Sequence, residues 1–141
     1  TTLFRSVLRV TEKILFDPAS SRLKPEADHV LRKVSDLVLP LPFDVRIEGH
    51  TDNTPYGRSD KTNWDLSAQR AIAVLNFFAI NKLLELDRLS AVGYADQRPL
   101  VPNDSEKNRT LNRRVEFVLE FGEDYKQTLP YLIDSTDQLP F

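Results

Sequence analysis

The sequence predicts an α/β fold, an α+β sandwich in which two main helices pack on a four-stranded sheet in the order β-α-β-α-β-(α)-β. Four segments alternate apolar and polar residues, as half-buried strands do. Two longer segments between strands carry apolar stripes at helical spacing. The composition, 141 residues with 40% hydrophobic and 28% charged residues, is that of one ordinary globular domain.

The first strand is predicted over 8–16, where apolar residues alternate loosely, and turn-forming residues follow at 17–21. The first helix begins near Pro25, which suits a first helical turn because its missing N–H needs no partner there. Pro40 ends this helix. Its apolar stripe consists of Ala27, Val30, Leu31, Val34, Leu37 and Val38.

The second strand is predicted over 43–48, and a polar loop follows over 49–61. Thr62 and Asp65 have the spacing of a capping box, with Asp in place of Glu, so a second helix is expected from there to about Lys82. Trp64, beside this cap, is interpreted as a core anchor. The alternative is that its ring stacks on a sugar.

The third strand is predicted over 89–94 and the fourth over 114–121, where apolar and charged residues alternate. The loop between them, 95–110, carries a possible helical turn near 105–108. We expect residues 1–122 to form the domain. Residues 123–141 are expected to be a tail that contains a short docked helix at most.

Composition excludes several classes of site. The chain has no cysteine, which excludes disulfides and thiol chemistry. A net charge of -2 provides no global field to attract nucleic acid, so no nucleic-acid partner is expected. No metal and no cofactor are predicted, because no second histidine lies at ligand spacing from His50.

Asp52 follows the second strand, and Arg70 lies on the second turn of the next helix. An acid can accept hydrogen bonds from an ammonium group, and a guanidinium can donate two parallel bonds to a carboxylate. If the two side chains converge, they form a pocket for a zwitterion. The alternative is a structural ion pair, or two unrelated surface charges.

Four segments together resemble a known family of domains. They are GHTDNTP at 49–55, NWDLSAQRA at 63–71, LSAVGY at 89–94 and NRRVEF at 112–117. In this order they resemble the peptidoglycan-binding domain shared by outer membrane protein A, the peptidoglycan-associated lipoprotein and the flagellar motor protein MotB. The long insert before the second helix, with its Asn-Trp pair, is most similar to the MotB branch.

The resemblance implies that Asp52 and Arg70 hold the amine and the carboxylate of diaminopimelate in a peptidoglycan stem peptide. Thr54 and Asn63 match lesser polar contacts of the family. Asp17 lies in a loop whose family counterpart touches the ligand mainly through backbone. One of Arg113 and Arg114 is expected to face the pocket, and alternation does not decide which. The implied peptidoglycan-binding set is Asp52, Arg70, Asn63, Thr54, Asp17, Arg113 and Arg114.

The resemblance also implies a non-catalytic protein that anchors a membrane complex, the flagellar stator, to the cell wall. A periplasmic position, a MotA-like membrane partner and a homodimer follow from it. The chain begins at Thr1 and lacks methionine, so we expect a fragment whose upstream membrane helix, the tether to the inner membrane, is absent. The alternatives are an outer-membrane protein, a lipoprotein or a secretion-system component with the same wall-anchoring domain.

A different class of function is a metal-dependent hydrolase. His50 and Asp52, with Asp60 and Asp65 nearby in the sequence, are candidates for a metal cluster or a general base. The sequence favours binding over catalysis, because it contains no Gly-x-Ser-x-Gly nucleophile turn.

Overall fold

The chain folds into strands and helices in the order that the sequence predicts, and the α+β fold class is confirmed. The structure is a computed structural model that describes residues 3–57 and 61–122. The predicted tail at 123–141 lies outside the described residues, so the domain boundary stays a prediction. The elements are β1 (Leu3–Thr11), α1 (Glu12–Leu15), α2 (Ala27–Val38), β2 (Val45–His50), α3 (Asn63–Ile80), a 3-10 turn (Leu86–Arg88), β3 (Leu89–Gly93), α4 (Glu106–Asn112) and β4 (Arg114–Gly122).

The four strands form one sheet in the order β1-β4-β2-β3. β2 and β3 are parallel, as expected for two strands joined by a helix. β4 is antiparallel to both of its neighbours, β1 and β2. This insertion of β4 places the residues at its beginning beside the end of β2, where the functional candidates lie.

Both main helices pack on one face of the sheet. The alternation in β4 directs Val115, Phe117 and Leu119 into the core with the buried residues of α2 and α3. The predicted stripe of α2 is confirmed except for Leu37, which is 45% exposed. Leu37 lies at the edge of the stripe, whereas Val38, the next residue, is buried.

The predicted bounds of the first strand are wrong. β1 begins earlier, at Leu3, and ends at Thr11, and residues 12–15 form the helical turn α1. Thr11 pairs with Arg114, the first residue of β4, so the ladder has no further partner strand beyond it. The Glu12 N–H instead donates to the Arg113 carbonyl at 2.9 Å, and the chain turns.

The capping box at the start of α3 forms as predicted. The Thr62 N–H donates to Asp65 Oδ2 at 2.8 Å. This backbone hydrogen bond and one from the Thr62 hydroxyl lower the pKa of Asp65 below its ordinary value. The cap fixes where α3 begins, and so it fixes the direction in which Arg70 leaves the helix.

The first turns of α3 lie directly on the ends of β2 and β3. At Gly49 a Cβ would overlap the Ser67 carbonyl oxygen, and at Gly93 it would lie 2.6 Å from Ser67 Oγ. Ser67 Oγ also accepts a hydrogen bond from the Ala95 N–H at 3.0 Å. This close approach requires glycine on both strands, and it brings α3 next to the loop that carries Asp52.

Within the described part of the chain, no helix combines the length and the hydropathy that crossing a bilayer requires.

Candidate functional site

A pocket of about 430 Å³ opens beyond the end of β2, between the loop that follows β2, the beginning of α3 and the residue that precedes β4. The structure brings five of the seven predicted binding residues to its wall. Two predicted residues, Asp17 and Arg114, do not line it. The five that do are Asp52, Thr54, Asn63, Arg70 and Arg113.

Asp52 is buried at the base of this pocket, with 6% of its side chain exposed. Its Oδ1 accepts a hydrogen bond from the Thr54 N–H at 2.8 Å, which folds the loop around the carboxylate. Its Oδ2 accepts from Arg113 Nη1 at 2.5 Å. A carboxylate has about four acceptor positions, so Asp52 retains capacity for a ligand donor.

Arg70 is also buried, and its guanidinium is held by three partners. Nη1 pairs with Glu12 Oε2 at 2.6 Å, Nε donates to the Ser20 carbonyl at 2.8 Å, and Nη2 donates to the Asp17 carbonyl at 3.2 Å. The Cζ atom of its guanidinium lies 5.0 Å from the centre of the Phe16 ring. A guanidinium has five N–H groups, so two remain for a ligand beyond the hydrogen bonds made among the described residues.

Asp17 therefore acts on this site through its backbone. Its side chain is exposed, and its carbonyl oxygen orients Arg70. This geometry gives Asp17 a supporting position behind Arg70, away from the pocket wall.

Arg113 and Arg114 lie on opposite sides of the sheet. Arg113 lines the pocket and bonds Asp52, and its Nη2 also lies 3.2 Å from Glu106 Oε1. Partial burial lowers the pKa of Arg113, but the hydrogen bonds that Arg113 donates to Asp52 and Glu106 outweigh it and raise that pKa above the ordinary value. Arg114 Nε instead donates to Glu116 Oε2 at 2.6 Å on the far face. Of the two arginines, Arg113 is the one that a ligand in this pocket can reach.

Thr54 and Asn63 use their polar groups to shape the loop. Asn63 Nδ2 donates to the Thr54 carbonyl at 2.9 Å and reaches the Asp52 carbonyl at 3.5 Å. Asn63 thus joins the beginning of α3 to the loop after β2, and these hydrogen bonds hold the two walls of the pocket in position.

Glu12 lines the pocket, and sequence reasoning missed it. Its side chain is 9% exposed and contacts two arginines, Arg70 at 2.6 Å and Arg113 at 3.4 Å. The signal was an acid at an inward position of an otherwise apolar alternation, since a buried carboxylate requires a cationic partner. The strand predicted over 8–16 contains Glu12, and within a strand a single acid does not identify its partners.

The predicted alternative of a shared site for His50 and Asp52 is wrong. His50 lies with Glu48 and Glu116 on the far face of the sheet, and its Nε2 is 3.0 Å from Glu48 Oε1. Among the described residues these three form the one cluster with the spacing of metal ligands. Asp60, another member of that alternative, lies outside the described residues.

The carboxylates of this far cluster already have cationic partners. Arg46 Nε donates to Glu48 at 2.8 Å, and Arg9 and Arg114 both donate to Glu116. Burial raises the pKa of both carboxyls, but hydrogen bonds and neighbouring charge outweigh it and hold each pKa below the ordinary value. Burial lowers the pKa of Arg114. A divalent cation here would face three guanidinium groups, so the cluster is best explained as a structural ion-pair network.

The interpretation of Trp64 as a core anchor is wrong. Its side chain points outward and is 51% exposed. It lines a groove of about 540 Å³ that shares Pro55, Tyr56 and Asn63 with the first pocket. The alternative interpretation, contact with a sugar, stays a prediction.

Comparison with known proteins places this geometry in a family. Residues 15–113 match the model of the OmpA family. Motility protein B of Bacillus subtilis is 31% identical over 115 residues, which cover 80% of this chain and 44% of that protein. The chain spans about half the length of the curated relatives it matches.

Solved structures agree with the sequence relatives. A MotB-like protein from Desulfovibrio vulgaris is 40% identical, with a TM-score of 0.75 over 80% of this chain and 71% of that one. The cell wall anchor of the type VI secretion system (T6SS) of Pseudomonas aeruginosa is 32% identical, with a TM-score of 0.73 over 82% of this chain and 80% of that one.

These relatives are motility and wall-anchor proteins, which confirms the expectation of a binding protein that is not an enzyme. The resemblance stated from the sequence motifs is confirmed as well, and the chain belongs to the OmpA family.

Proposed function

We propose that this domain binds peptidoglycan by holding the amino-acid end of a diaminopimelate-containing stem peptide. In this proposal Asp52 accepts hydrogen bonds from the ligand's ammonium, and Arg70 donates to its carboxylate. The observation that carries the proposal is that both buried side chains, which are of opposite charge, line one pocket.

The chemistry of the pocket favours a zwitterion. Charge-assisted hydrogen bonds contribute about 1.5–3 kcal/mol each, and Asp52 and Arg70 keep capacity for such bonds beyond their partners Arg113 and Glu12. A ligand that carries only one charge uses only one of the two groups. Arg113 completes the wall beside Asp52, and Thr54, Asn63 and the Asp17 carbonyl hold the binding groups in place. Arg114 is left out of the proposed site because its guanidinium lies on the other face.

We further propose that the domain anchors a flagellar stator to the cell wall from the periplasm. Motility protein B and the MotB-like structure support this role, as do the motifs of the MotB branch. The full protein would then contain an upstream membrane helix, pair with a MotA-like partner and form a homodimer. Anchoring has a mechanical reason, since a stator must resist the torque that it exerts on the rotor.

The alternative is the wall anchor of another assembly. The T6SS wall anchor supports this alternative, because its TM-score of 0.73 is almost equal to the 0.75 of the MotB-like protein. The sequence upstream of Thr1 separates the two roles. A membrane-spanning segment with an acidic residue supports the motor, and a lipobox or a β-barrel supports another anchor.

Co-sedimentation with purified peptidoglycan sacculi of the diaminopimelate type tests the binding proposal. We expect the domain to pellet with the sacculi and to be released by free diaminopimelate. Pimelate, which has the same carbon chain and no amines, and cadaverine, which has the amines and no carboxylates, should release it poorly. The proposal is contradicted if the domain stays in the supernatant, or if all three compounds release it equally well.

A further inference from the structure

Five charged side chains line the pocket, and four of them form an alternating chain in the order Arg70, Glu12, Arg113 and Asp52. The fifth, Glu106, pairs with Arg113 Nη2 at 3.2 Å, but its side chain is 67% exposed, so solvent screens its charge. Glu12 Oε2 lies 2.6 Å from Arg70 Nη1, and Glu12 Oε1 lies 3.4 Å from Arg113 Nε. Arg113 Nη1 lies 2.5 Å from Asp52 Oδ2. We call these four residues the charge chain. Its formal charge is zero, and its two ends, Arg70 and Asp52, have opposite signs.

The backbone fixes the middle of the charge chain. The Glu12 N–H donates to the Arg113 carbonyl at 2.9 Å, so the two residues stay adjacent when the end of β1 pairs with the beginning of β4. Glu12 is the one acid among the described residues whose carboxylate forms ion pairs with both pocket arginines. Burial strengthens its effect, since solvent screens a buried charge poorly.

The ends of the charge chain retain capacity for a ligand. Arg70 has N–H groups beyond its three partners, and Asp52 has acceptor positions beyond Thr54 and Arg113. A carboxylate at Arg70 and an ammonium at Asp52 would close the chain into a ring in which every positive group lies between negative ones. A zwitterion leaves the net charge of the charge chain at zero, and a singly charged ligand does not.

We propose that Glu12 determines the ligand specificity of this pocket, by joining Arg70 to Arg113 in a neutral charge chain that favours a ligand carrying both an ammonium and a carboxylate. This inference rests on the proposed function, and it adds a residue that contributes through the two arginines. Without the Glu12 charge, Asp52 would be the one buried acid left in the charge chain beside the two arginines. The charge chain would then carry an excess positive charge and favour plain carboxylates.

Glu12→Gln is the direct test, because it removes the charge and keeps the shape. Dissociation constants are measured by calorimetry for diaminopimelate and for pimelate. We expect the preference for diaminopimelate over pimelate to fall about tenfold or more, as the loss of one charged contact of about 1.5 kcal/mol implies. Glu26→Gln makes the same chemical change at an exposed carboxylate, 67% exposed, and should keep the wild-type preference.

A reciprocal variant keeps the proposal testable if Glu12→Gln does not fold, as judged by circular dichroism. Arg113→Gln removes the positive charge between Glu12 and Asp52, and its side chain is 20% exposed, so it is easier to replace. Here the excess charge is negative, and the affinity for cadaverine should rise relative to diaminopimelate.

The outcomes separate the two proposals. If the wild-type domain binds no diaminopimelate, the proposed function fails and the role of Glu12 fails with it. If the wild-type domain binds diaminopimelate and folded Glu12→Gln keeps the wild-type preference for diaminopimelate over pimelate, only the role of Glu12 is overturned. The same conclusion follows if the affinity of folded Arg113→Gln for cadaverine does not rise relative to diaminopimelate.

Discussion

Asp52→Asn is expected to weaken binding to diaminopimelate-type sacculi by at least about 30-fold, since removing one partner of a buried charged contact costs about 2–5 kcal/mol. The amide keeps the shape of the carboxylate and an oxygen that can accept from the Thr54 N–H. It loses the charge that holds the ligand's ammonium. The fraction of protein that pellets with sacculi, measured over a range of sacculus concentrations, gives the change in affinity.

Asp44→Asn is the matched control for this prediction. Asp44 is exposed and precedes β2, whereas Asp52 follows the same strand at its other end. The control makes the identical chemical change away from the pocket and should leave pelleting unaffected. Wild-type affinity in a folded Asp52→Asn variant would show that the ammonium is bound elsewhere. Asn63→Ala, which loosens the loop and keeps both charges, should have a milder effect.

Gly49→Ala is expected to destabilise the fold by about 3 kcal/mol, at the upper end of the usual cost of overpacking. The added methyl group would overlap the Ser67 carbonyl oxygen and would lie 2.9 Å from its carbon. These are backbone atoms of α3, so no side chain can rotate away, and the helix must move off β2. Urea unfolding followed by circular dichroism measures the loss.

Gly122→Ala adds the same methyl group where no atom of the described residues, its chain neighbours aside, lies within 4 Å, and it should unfold close to the wild-type midpoint. An unchanged midpoint in Gly49→Ala would mean that α3 does not pack on β2 as closely as described. The variant also bears on function, because a displaced α3 moves Arg70 relative to Asp52. Binding should therefore fall along with stability.

Local patterns predict the elements of this fold because each pattern reports burial on one face. The alternation in β4 and the stripe of α2 are visible in the sequence for that reason. The position of β4 between β1 and β2 is not visible, since strand order depends on pairing between distant segments. The local patterns therefore predict four strands, and only the family resemblance indicates that one of Arg113 and Arg114 faces the pocket of Asp52.

In the candidate site, too, the sequence identifies residues that lie in motifs and misses residues defined by distant contacts. Asp52 and Arg70 stand out in the sequence because family motifs surround them, and the structure brings them to one pocket. Glu12 does not lie in any of these motifs. It is identified by its ion pairs with Arg70 and Arg113, which are far along the chain. Trp64 misleads because a large aromatic side chain beside a helix cap usually packs inward, whereas here it is 51% exposed.

A crystal structure of the domain bound to diaminopimelate tests the central claim most directly. We predict one carboxylate of the ligand within about 3 Å of the Arg70 guanidinium, and the ammonium on the same carbon within about 3 Å of the Asp52 carboxylate. Glu12 should remain between the two arginines. A ligand bound on the far face of the sheet, or one in this pocket that contacts neither Asp52 nor Arg70, would contradict the account.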